Sequence, residues 1–150
     1  MREGVAMATM TYTRSAEIDA PVSEVFAFVA DPGRLFVTWP MAVSVSNIRL
    51  TPEGVGSRFD WTGGEEWGLT LHGTFVRDVY VPDERIVDRS TTGSAWMWAF
   101  RPEGDGTRLT VTVDHSARRM REGVDVNVLR MTGRDLEEML ALIREQFARR

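Results

Sequence analysis

Alternation opens the chain. From Thr9 to Asp19, Tyr12, Arg14, Ala16 and Ile18 fall in one phase and Thr11, Thr13, Ser15, Glu17 and Asp19 in the other. A period of two with one apolar phase predicts a half-buried strand. Pro21 suits the first turn of a helix, and Val22, Val25, Phe26 and Val29 then recur at helical spacing until Asp31-Pro32 stops it. A second short helix is predicted at about Gly33 to Thr38, carrying the chain to Trp39-Pro40.

From Met41 to Ser116 the punctuation is that of strands. Turn residues at Thr51-Pro52-Glu53-Gly54, Gly63-Gly64, Val81-Pro82-Asp83-Glu84, Thr92-Gly93 and Pro102 to Gly106 divide the segment. The strands between them are expected at Val43–Leu50, Gly56–Thr62, Trp67–Tyr80, Arg85–Thr91, Ala95–Arg101 and Thr107–His115. Connections this short make the sheet antiparallel, because parallel neighbours need crossovers of about a dozen residues or more. The final segment returns to helical period, with Leu129, Leu136, Leu140, Ile143 and Phe147 on one stripe and Arg134, Glu137, Glu138, Arg144, Glu145 and Arg149 facing away. Its start is open: Thr132 with Asp135 three residues on reads as a capping box, and the pattern also fits a start near Asp125. The result is an α+β chain in which a curved, seven-stranded antiparallel sheet buries the stripe of one long C-terminal helix.

Composition removes several chemistries. The 150 residues suit one domain, with residues 1–8 as a flexible tail, and no internal repeat is present. There is no cysteine, so disulfides, thiolate metal sites and cysteine nucleophiles are excluded. All 18 basic residues are arginine, which excludes lysine Schiff bases. With 22 acidic residues the net charge is −4 and no basic stripe forms, so nucleic acid is not an expected partner. Neither a signal-peptide pattern nor a membrane-length apolar run appears, and a cytoplasmic location is the expectation. No phosphate loop, dinucleotide fingerprint or metal spacing occurs, so neither cofactor nor metal is expected.

Ile18-Asp19-Ala20-Pro21 leading into Val25-Phe26, then Asp31-Pro32 and Trp39, resembles the opening of the START/birch-pollen-allergen (SRPBCC) superfamily in its polyketide cyclase/dehydrase-like branch. Gly54-Val55-Gly56-Ser57-Arg58-Phe59, Val81-Pro82-Asp83-Glu84-Arg85 and Gly104-Asp105-Gly106-Thr107-Arg108-Leu109-Thr110 are similar to its later signposts, in the same order. The resemblance implies a helix-grip fold with a cavity for a hydrophobic molecule between sheet and C-terminal helix. It also implies two other roles: a cofactor-independent polyketide cyclase or aromatase, or a protein-interaction or quinone-chaperone function that would need an exposed apolar patch.

The phases of the strands select candidate residues. Phe59 with Trp61, Trp67 with Leu69, Leu71 and Phe75, Trp96 with Trp98 and Phe100, and Leu109 with Val111 and Val113 are four inward sets. The candidate ligand-binding residues are accordingly Trp39, Phe59, Trp61, Trp67, Leu71, Phe75, Trp96 and Trp98, with Leu136, Leu140 and Ile143 from the helix; a packed core is the competing explanation. His115 continues the inward phase of the last strand and is a candidate base or hydrogen-bond anchor, against a structural role at a strand end. Arg14 is the second polar candidate, against an arginine that reaches past the edge to water. Asp88 and Ser90 share the phase of Ile86, while the opposite phase with Val87 inward reads almost as well. His72 is expected outside, Glu65 and Glu66 at a hairpin tip, and Arg118, Arg119 and Arg121 in a solvated loop. The expected partner is a small hydrophobic molecule, polyketide-, lipid- or isoprenoid-like, and a homodimer is compatible with the sequence.

Overall fold

The computed structural model describes residues 9–39, 43–63, 71–91, 93–116 and 132–148. Strand β1 (Thr9–Ile18) leads into helix α1 (Val22–Ala30), the short helix α2 (Pro32–Leu35) and a 3-10 turn (Phe36–Thr38). Strands β2 (Val43–Arg49), β3 (Arg58–Gly63), β4 (Leu71–Val81), β5 (Arg85–Ser90), β6 (Ser94–Glu103) and β7 (Gly106–Ser116) follow, and helix α3 (Gly133–Ala148) comes last. The strands form one seven-stranded sheet in the order β1-β7-β6-β5-β4-β3-β2, with every adjacent pair antiparallel. This is the α+β, helix-grip architecture that the sequence pattern implies. The expected tail, residues 1–8, lies outside the described residues.

Each helix boundary has a local cause. Asp31 ends α1 and starts α2: its side chain accepts from the Gly33 N–H at 3.0 Å, and Pro32 occupies the first turn, where a missing N–H costs nothing. At α3 the capping box is made with an aspartate. The Asp135 N–H donates to Thr132 Oγ1 at 3.3 Å, and the Thr132 N–H donates to Asp135 Oδ2 at 2.8 Å. Thr132 therefore fixes the described start of α3; the alternative start near Asp125 lies outside the described residues.

The core occupies the concave side. Inward residues of the strands, among them Ile18, Phe59, Trp61, Phe75, Ile86, Trp96, Trp98, Phe100, Leu109, Val111 and Val113, join Leu136, Met139, Leu140, Ile143 and Phe147 of α3 in one buried cluster. Met139 widens the stripe beyond the positions read from the sequence. The β1–α1 corner is tied to the start of the neighbouring strand β7 by the buried Thr107 hydroxyl, which donates to the Ala20 carbonyl at 2.8 Å.

Two irregularities bend the sheet. In β2 the pairing with β3 slips between Ser46 and Arg49, where Asn47 takes a left-handed φ of 51°. Its amide donates to Asp60 Oδ2 at 2.8 Å and Thr74 donates to Asp60 Oδ1 at 2.7 Å, which lowers the Asp60 carboxyl below its ordinary range. In β4 the register to β5 slips between Arg77 and Val79, so Arg77 opposite Asp88 and Tyr80 opposite Ile86 share the concave face although three residues apart. Val87 pairs with Val79 and Met97 on the other face and is buried as well. Burial on both faces explains why strand phase alone left β5 ambiguous.

Gly54 combines a φ of +86° with the Tyr80 ring lying where a side chain would stand. Gly54→Ala forces a left-handed alanine and displaces that ring, so it is expected to cost about 1–3 kcal/mol in urea unfolding. On the surface, Arg108 donates to both oxygens of Glu103 at 3.0 and 2.9 Å and to Glu17 at 3.0 Å. The Arg108 guanidinium holds the Glu103 carboxyl down to about 2, against an ordinary 4.5. The folded value lies below the unfolded one, so the contribution is present above pH 4.5 and is lost as pH falls through about 2. The group is exposed and screened, so the effect is small. The difference in Tm between the native chain and Glu103→Gln is expected to shrink steadily across that window, and carbon-detected NMR of Glu103 should give a midpoint at about 2.

Candidate functional site

The inward aromatic residues converge where β3 to β6 face α2 and the 3-10 turn. A void of about 10 Å³ lies there, lined by Leu35, Phe36, Trp39, Phe59, Phe75, Asp88, Trp96 and Trp98. The lining is a chain of rings. Phe36 stacks on Trp39 with centroids 4.3 Å apart and planes within 6°, Trp39 meets Trp96 at 4.7 Å, and Phe36 packs edge-on against Phe59 at 5.4 Å. Phe59 lies 5.2 Å from Phe75, its cross-strand partner. These separations fall in the range of favourable aromatic contact. A space of this size holds one water at most.

Among the described residues one charged group borders this space. Asp88 is buried and accepts from Arg77 in a two-pronged pair, Nε to Oδ1 at 2.9 Å and Nη2 to Oδ2 at 3.1 Å, with the two side chains 4% and 8% exposed. The remaining Arg77 nitrogen donates to the Ala30 carbonyl at the end of α1, at 3.1 Å. Planar guanidinium and carboxylate match bidentately, and the helix carbonyl satisfies a further donor, which is what allows a charge pair to stand inside a core. An ionised carboxylate has about four acceptor sites and Arg77 takes one on each oxygen, so Asp88, which borders the void, has the capacity to accept a further hydrogen bond.

Of the residues singled out in the sequence, Trp39, Phe59, Phe75, Trp96 and Trp98 line the void. Trp61 is buried across from Gly73, with its indole lying over the glycine, and its Nε1 has no hydrogen-bond partner among the described residues. Leu136, Leu140 and Ile143 are buried in the same core but do not border the void. Leu71 opens β4, and its side chain is outside the described residues; so are Trp67, Leu69, Glu65, Glu66, Arg118, Arg119 and Arg121.

His115 is 1% exposed and sits opposite Ser94, one inward position beyond the Trp96–Val113 pair, and is not among the residues that line the void. Arg14 is 41% exposed at the sheet rim, where its Nε donates to Glu137 Oε2 at 2.7 Å and its guanidinium covers Gly133. That ties β1 to the first turns of α3. His72 is exposed.

Leu35, Phe36, Arg77 and Asp88 are the site residues that sequence phase did not select. For the charged pair a signal existed: Arg77 continues the phase of Leu71 and Phe75, and an inward arginine demands an inward carboxylate, which only the Ile86 phase of β5 supplies. A second space, a groove of about 590 Å³ between α1, α2 and the end of α3, mixes Glu24, Arg34 and Gln146 with Phe28, Val37 and Phe147. Among the described residues no group of metal-binding side chains forms, and no helix is long and apolar enough to cross a membrane.

Residues 19–141 match the family model of Activator of Hsp90 ATPase homolog 1-like protein. The chain belongs to this family. Within the SRPBCC superfamily, the family fold extends to distant structures. The protein TTHA0849 from Thermus thermophilus superposes with a TM-score of 0.71 at 19% identity, covering 93% of this chain and 98% of its own. The Bet v 1-like Ara h 8.0201 does so with 0.67 at 14% identity, covering 95% and 100%. An uncharacterised Mycobacterium tuberculosis protein is 32% identical over 146 residues, 91% of this chain. The chain spans 64% of that relative's length.

Removing one member of the buried pair strands the other. Asp88→Leu is expected to cost about 3–5 kcal/mol, whereas the double replacement Arg77→Met with Asp88→Leu should recover most of that loss, as read from chemical-denaturation midpoints.

Proposed function

We propose that this chain binds a small hydrophobic molecule, polyketide-, lipid- or isoprenoid-like, in the concavity of the sheet where β3 to β6 face α2 and the 3-10 turn, beside the part of that concavity filled by α3. The observation that carries this reading is the ring-lined enclosure with a single carboxylate in its wall. Apolar lining with few polar groups is the make-up of small-molecule sites, in which burial supplies affinity and the polar group fixes orientation. The void as it stands is too small for such a molecule, so binding must proceed by displacement of a lining side chain.

A cyclase or aromatase acting in the same space is the second reading. It would require several polar groups converging on one substrate to move protons and stabilise an enolate. The described lining offers one, which favours binding over turnover, and His115 and Arg14 stand apart from it. The net charge of −4 and the apolar lining favour a small molecule over nucleic acid as partner. A cytoplasmic location and a single domain complete the proposal.

Native mass spectrometry of protein purified from its own host tests it. A stoichiometric adduct that is released on denaturation and extracts into organic solvent is expected. Absence of any adduct, together with no saturable binding of apolar aromatic probes, would overturn the reading.

A further inference from the structure

Among the residues that line the void, Trp39 is unlike the others. Leu35, Phe36, Phe59, Phe75, Asp88, Trp96 and Trp98 are all buried, whereas Trp39 is only half-buried. It follows the last residue of the 3-10 turn rather than standing in a strand, and its backbone N–H bonds back to Phe36 at 3.3 Å. Its ring contacts with the cage are a stack on Phe36 and a contact with Trp96 tilted by 38°. Such stacks are worth about 0.5–1.5 kcal/mol each beyond area burial, and another planar ring can replace them. The same lining includes Asp88, oriented by Arg77 and with the capacity to accept a further donor.

We infer that the Trp39 indole holds the place of the ligand, and that the molecule that displaces it is a planar system of about two fused rings carrying a hydroxyl or N–H that donates to Asp88. This rests on the cavity reading above and specifies it. Trp39 is a displaceable plug, and Asp88 is the specificity-determining residue, with Arg77 positioning it. The size follows from the plug, since a fused bicycle that leaves makes room for one that enters. The donor follows from the carboxylate, which rejects an acceptor-only edge by lone-pair repulsion and rewards a donor by a charge-assisted hydrogen bond.

The test uses the unaltered chain with naphthalene, 2-naphthol and 2-methoxynaphthalene as probes, followed by calorimetry and by ¹⁹F NMR of 5-fluorotryptophan-labelled protein. Apolar burial alone ranks 2-naphthol last, because a hydroxyl is costly to bury. The inference reverses that order: 2-naphthol is expected to bind about tenfold or more tighter than either other probe, corresponding to one charge-assisted hydrogen bond. The Trp39 resonance, assigned with Trp39→Phe, should move to a solvent-exposed position on saturation, and Trp39→Ala should bind 2-naphthol more tightly than the native chain. If the three probes bind in order of apolarity, Asp88 selects nothing and the inference falls while the cavity reading stands. If Trp39→Ala binds more weakly, or the Trp39 signal is unmoved at saturation, the residue is a wall and the plug is refuted. If none of the probes binds either the native chain or Trp39→Ala, the inference falls, and where native mass spectrometry also finds no adduct the cavity reading falls with it.

Discussion

A sheet that curves far enough to embrace a helix creates a concave space whose filling governs everything else in the molecule. The hydrophobic effect forbids leaving that space wet and apolar, and α3 fills one part of it with Leu136, Met139, Leu140, Ile143 and Phe147. The remainder is filled by rings from β3, β4 and β6 and from the turn after α2. Because close packing tolerates few voids larger than a water, the void left between those rings shrinks to about 10 Å³. Curvature, core and candidate site are thus one constraint seen at three scales.

The bends that make the curvature also place the charges. The slip in β4 turns both Arg77 and Tyr80 to the concave side, where the guanidinium lies between Asp88, the Ala30 carbonyl and the Tyr80 ring at 5.9 Å. The pair links sheet to α1 and at the same time supplies the one carboxylate in the described lining of the void. An ion pair of this kind is weak evidence for stability, since apolar residues of similar volume serve as well. Its retention next to an aromatic enclosure is better accounted for by what it presents to that enclosure.

Fold and function separate at this point. Membership of the Activator of Hsp90 ATPase homolog 1-like family covers residues 19–141 and fixes the architecture, while the structural relatives, at 14–19% identity, share the scaffold alone. A scaffold of this type leaves its pocket free to vary. The functional content therefore resides in which side chains line the concave face here, and among the described residues these form an aromatic cage with one carboxylate.

The sequence by itself determined the element order, the antiparallel sheet and the phases of β1, β3, β6 and β7, because period-two and period-3.6 patterns are local and each turn announces itself in glycine and proline. Of the eight void-lining residues it named five, Phe59, Phe75, Trp96 and Trp98 through size and phase and Trp39 without a strand phase to direct it. The tertiary structure alone decided the rest. Ile86 and Val87 are both buried, so no phase of β5 could be preferred until Val79 and Met97 were seen to cover Val87. Arg14 is inward in phase, yet its long side chain escapes to Glu137 at the rim, a choice made by where α3 lies. Leu35 ends the four-residue helix α2 and Phe36 opens the 3-10 turn, segments too short for periodicity to carry information about direction. How much space the rings leave is a property of their mutual packing, to which composition and spacing are blind.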